Sequence, residues 1–131
     1  MTASPATPRL APCPRTPNCV STQAPPGPQR MEPILYTGPL AAARERMVQA
    51  LRNHPRTRIV REEPDYLKAE CRSAVFHFVD DVEILFDDAA KRIHFRSASR
   101  LGRNDFGVNR KRMEEIRAAF LGGGPAGTVP R

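Results

Sequence analysis

Tryptophan is absent, and two tyrosines and six phenylalanines are the only aromatic residues in 131. A core of this size needs most of them, so Phe76 and Phe78 read as packing residues rather than a base-stacking surface. Cysteine is scarce and odd in number, with three in all, which excludes a dense disulfide framework. No stretch approaches the roughly twenty apolar residues that cross a bilayer, and Met1 to Arg30 holds no apolar run of the signal-peptide kind. These absences lead to the expectation of a soluble cytoplasmic protein with reduced thiols.

Proline, in contrast, is abundant and unevenly placed. Ten of the fourteen prolines fall in residues 1–39, which carry few bulky apolar side chains and are expected to bury little. The expected organisation is a flexible tail over 1–12, a Pro-rich arm over 13–38, a single domain over 39–121 and a second tail over 122–131. Charge is segmented too. Residues 1–61 sum to +7, residues 62–90 to −7 and residues 91–117 to +6, within a net +7. A uniformly basic chain suits phosphate neutralisation; a segmented one suits pairing between its own blocks, so nucleic acid is an unfavoured though open partner.

Periodicity predicts a helix over Leu40–Asn53, where Leu40, Ala43, Met47, Val48 and Leu51 form one stripe. Pro39 suits the first helical position, and Pro55 ends the helix. Strands are expected over Thr57–Glu63, Tyr66–Arg72, Val82–Phe86 and Arg92–Ser97, with Val75–Val79 either continuing the second of these or making a small extra one. A last helix is expected over Val108–Leu121, stopped by Gly122-Gly123-Gly124-Pro125. The fold class is α+β: helix, four or so antiparallel strands, helix, with both helices on one face of the sheet and the other face polar.

The stretch from Arg96 to Arg112, RSASRLGRNDFGVNRKR, is the first candidate site. Arg96, Arg100, Arg110 and Arg112 supply planar cations for carboxylate or phosphate. Ser97 and Ser99 add hydroxyls, Gly102 and Gly107 permit unusual backbone angles, and a helix N-terminus follows. The structural alternative has Asp105 capping the helix, Asn109 tethering the loop, and the arginines pairing with Asp80, Asp81 or Glu83. Cys13-Pro14-Arg15-Thr16-Pro17-Asn18-Cys19 is the second candidate. Its spacing is not a zinc half-site, and the alternatives are a docked arm, a small disulfide loop, or a Cys19 nucleophile. The acidic cluster Asp80, Asp81 and Glu83 is the third, for acid–base work, a divalent metal or arginine pairing. Asp87 and Asp88 read as turn residues and Cys71 as a core residue. His54, His77 and His94 are too scattered to assign a metal, and no cofactor is called for.

CPRTPNCVST, DYLKAE with VDDVEILFD, and HFRSASRLGRNDFGVNRKRMEEIR resemble, in order, the bacterial and plastid family known as domain of unknown function 1499. The resemblance spans Leu10 to Phe120. It implies a domain extent and candidate positions, and it implies no reaction. Some relatives are held at membranes by added N-terminal segments, a feature not expected to carry over here. The first functional reading is a noncatalytic binding or assembly module that uses the Arg96–Arg112 loop on an anionic small molecule, lipid headgroup or acidic partner. The alternatives are a small hydrolase or transferase using Cys19 or the Asp80/Asp81 pair, and a nucleic-acid accessory protein.

Overall fold

The computed structural model describes residues 9–74, 78–102 and 104–122. The elements run β1 (Cys19–Ser21), β2 (Ile34–Leu35), α1 (Leu40–Asn53), β3 (Thr57–Glu63), β4 (Tyr66–Arg72), β5 (Val79–Asp87), β6 (Arg92–Ser99) and α2 (Val108–Gly122). The six strands form one sheet in the order β1-β6-β5-β4-β3, with β2 also on β6. Every strand pairing is antiparallel.

Alternation sets the sheet's two faces. Leu67, Ala69 and Cys71 of β4 are buried, as are Val82, Ile84 and Phe86 of β5 and Ile93 and Phe95 of β6. They share one cluster with Ala43, Met47, Val48, Ala50 and Leu51 of α1 and Met113, Ile116 and Phe120 of α2. Phe86, Phe95 and Phe120 are almost wholly buried, each contributing about 1.5–3 kcal/mol over an exposed side chain. The helices also touch each other: Arg46 of α1 lies 4.5 Å over the Phe120 ring and donates from Nη2 to its carbonyl at 2.6 Å.

Three expectations need correction. The sheet has six strands, because two short pieces of the Pro-rich segment join β6. That segment also buries Val20, Met31, Ile34 and Tyr36 in the common core, so it contributes more apolar area than its composition announces. Pro39 caps α1 from outside, with extended angles of φ −69° and ψ 148°, rather than occupying its first turn. The extra strand near Val75–Val79 falls partly on residues 75–77, outside the described residues, as do residues 1–8 and 123–131 of the two expected tails. Val79 itself opens β5.

Candidate functional site

Polar side chains meet under the sheet where β5, β6, β1 and α2 converge. Parity turns Asp80 inward and its neighbour Asp81 outward. Asp80 accepts from Arg112 Nη2 at 2.7 Å, with both side chains about nine-tenths buried. Arg112 Nη1 reaches Asn109 Oδ1 at 2.7 Å and Ser97 Oγ at 3.2 Å, and the Ser97 hydroxyl donates to Asn109 Oδ1 at 2.6 Å. Asn109 Nδ2 donates to Asp105 Oδ2, Ser99 Oγ and the Asn18 carbonyl. Ser97 and Asn109 are fully buried. A buried ion pair in so complete a hydrogen-bonded setting is tolerated because its remaining donors and acceptors are met.

Ser97, Asn109 and Arg112 are therefore enclosed rather than presented to a ligand. Asp105 also fills the helix N-terminus. Its Oδ1 accepts from the Gly107 N–H at 2.9 Å and its Oδ2 from the Asn109 N–H at 3.0 Å. A carboxylate of the chain itself stands where an external anion would sit.

On the outer face, charges pair across strands. Arg100 grips Asp81 with two bonds of 2.8 Å and Glu70 with a third. Those bonds hold the Asp81 carboxyl below the usual carboxylate range, burial opposing them. They also push the Arg100 guanidinium further up. Arg96 lies 3.7 Å from Glu83 and donates to the Pro12 carbonyl at 3.3 Å, while its Nε is buried without a partner among the described residues. Tyr66 donates its hydroxyl to Glu83 at 2.6 Å. Arg110 reaches back to the carbonyls of Pro28 and Arg30. The acidic cluster is thus divided: Asp80 serves the interior, and Asp81 and Glu83 the outer face.

Cys13 and Cys19 form a disulfide, which corrects the expectation of reduced thiols and removes Cys19 as a free nucleophile. Pro14 and Pro17 lie exposed within the closed loop, and buried Asn18 donates from Nδ2 to the Gly102 carbonyl at 2.7 Å. The loop thereby fastens the arm to the Arg100–Val108 turn. Cys71 remains a free, buried thiol, pushed up by burial.

What the turn leaves to solvent was not among the candidates. Leu101, Phe106 and Val108 are 72%, 88% and 48% exposed. Phe106 sits at φ +53° between Gly102 at +85° and Gly107 at +82°, and Asn104 Oδ1 accepts its N–H at 2.8 Å. Lys111 is exposed one turn on. The available signal was the presence of three apolar residues in an otherwise polar loop.

Among the described residues, no group of three or more His, Cys, Asp or Glu side chains is placed to hold a metal ion. His54 pairs with Glu115 and Thr57, and His94 with Thr22; His77 lies outside the described residues. No helix among the described residues is long and apolar enough to cross a membrane. A comparison with curated proteins finds no match. The family model described as a protein of unknown function, DUF1499, matches residues 9–120, taking in β1 through nearly all of α2, and the chain belongs to that family.

Proposed function

We propose that the protein is a noncatalytic docking module that presents the Arg100–Lys111 turn to an acidic partner protein. The observation that carries this reading is Phe106, 88% exposed and held at a left-handed backbone angle. A non-glycine residue pays about 1–3 kcal/mol for such a conformation, and burial is not its reward here. Leu101 and Val108 extend the apolar surface. The first turn of α2 carries no acidic residue and exposes Lys111, against the helix dipole's preference. An apolar knob beside the exposed Lys111 suits a recess rimmed with carboxylates.

The other readings have less support. A small anion in the loop would compete with Asp105 at the helix end and with Asp81 and Glu70 for Arg100. A hydrolase or transferase would need Cys19, which is disulfide-bonded, or an Asp80/Asp81 pair, which faces opposite ways. Nucleic acid would meet a loop whose Arg96, Arg100 and Arg112 already face carboxylates within the fold. The disulfide also favours an oxidising compartment over the cytoplasm.

A benzophenone photo-crosslinker at position 106, in the native host, tests the docking reading. The expected result is one adduct, mapping to an acidic segment and lost in both Leu101→Ser and Lys111→Glu. An adduct indifferent to Lys111→Glu, or one on a non-acidic segment, would overturn it. So would cosedimentation of the purified protein with anionic phospholipid vesicles, which would assign the knob to a membrane.

A further inference from the structure

We infer that the recess lined by Arg9, Thr22, Gln23, Ala24, Arg30 and His94 binds a small dianionic group of the phosphomonoester type. The recess has a volume of about 270 Å³, just below the range typical of drug-sized ligands, so it suits a compact group. No carboxylate lines it. It is distinct from the docking turn, and neither assignment depends on the other.

Arg9, from before the Cys13–Cys19 loop, and Arg30, from beyond it, are brought to its rim. Arg44, Arg46, Arg96, Arg100, Arg110, Arg112 and Arg117 all have acceptors within the fold. The exposed guanidinium groups of Arg9 and Arg30 have none among the described residues. The backbone holds both in place. The Leu10 N–H donates to Gln23 Oε1 at 2.8 Å, fixing the residue after Arg9. Arg30 bridges to Ser21 of β1, and Arg110 grips its carbonyl. Two guanidinium groups carried on anchored backbone, in a recess lined by no carboxylate, match the charge of a phosphate dianion.

His94 supplies the directional contact. It is 7% exposed, and its Nδ1 lies 2.9 Å from the Thr22 hydroxyl, whose oxygen accepts the Phe95 N–H at 3.1 Å. Nε2 has no partner among the described residues. Burial holds the ring below its ordinary titration range, Arg92 acting in the same sense and Asp87 against it. When the Thr22 hydroxyl donates to Nδ1, the ring's proton sits on Nε2, where a phosphate oxygen accepts it.

The test is a titration of the intact protein with inorganic phosphate at constant ionic strength, following the His94 ring nitrogens by NMR. Glycerol phosphate forms a second arm and sodium chloride a control. The expected result is a saturable shift of Nε2 and a rise in the His94 titration midpoint. The rise follows because a bound dianion favours the charged ring, opposing Arg92 and acting in the same sense as Asp87. Arg9→Ala and Arg30→Ala should each weaken the response at least tenfold, with the backbone spectrum unchanged, while Arg52→Ala leaves it intact. Tighter binding of glycerol phosphate than of free phosphate would identify an esterified ligand, and the reverse a free ion. Both outcomes support the site. A non-saturating shift, the same shift with chloride, or an unaltered response in Arg30→Ala would overturn it.

Discussion

Arg112 and Asp80 meet with both side chains about nine-tenths buried, so each is the other's main charged partner. Asp80→Asn leaves a buried guanidinium facing a neutral amide. It should cost about 3–5 kcal/mol in urea unfolding. Asp80→Leu combined with Arg112→Met removes both charges and should cost less than either single change. A loss near the ~0–1 kcal/mol of exposed pairs would show that the pair is open to solvent. Asp81, one residue on, faces outward to Arg100. The charge blocks made such pairings legible in the sequence. Which acid meets which arginine depends on strand parity and register, and Glu70 as a second partner of Arg100 needed β4 placed beside β5.

At the scale of elements, α1, β3 and β4 have the bounds that periodicity predicts, because each is long enough to show its repeat and ends at a proline or turn. β1 and β2 have three and two residues, too few to reveal alternation, and proline-rich surroundings hide them further. Their stability comes from β6 and from the disulfide. In the oxidised native protein no thiol should react promptly with a thiol reagent, since Cys71 is buried. One should react after denaturation, and three after reduction. Closing a loop of six-residue separation is worth about 2 kcal/mol in the chain-entropy account, so Cys13→Ser should lower unfolding stability by about that amount. Two or more thiols in the denatured, unreduced protein would contradict this pairing. The Arg9, Arg30 and His94 recess had no sequence signal, because its parts converge only once the arm lies along β6.

For the whole molecule, the sheet order places Glu70 of β4 and the acidic strand β5 between basic residues of β3 and of the β6 end. Arg58 approaches Glu70 from one side, and Arg96 and Arg100 approach Glu83, Asp81 and Glu70 from the other. The segmented charge is thus largely answered within the sheet. The arm is an integral layer of the same body. A chain reduced to residues 39–122 loses Val20, Met31, Ile34 and Tyr36 from the core, along with both strands beside β6. It should show no cooperative urea transition and poor amide dispersion by NMR. A sharp transition with native-like dispersion would make the arm an accessory.

The pairing of Cys19 with Ala98 also imposes an order on biosynthesis. Among the described strands, the first to be made is the neighbour of the last, 79 residues later. At roughly 5–20 residues per second, the arm waits on the order of 4–16 seconds for a surface to lie on. The Cys13–Cys19 loop can close from local sequence alone during that wait, so the arm can reach β6 already looped.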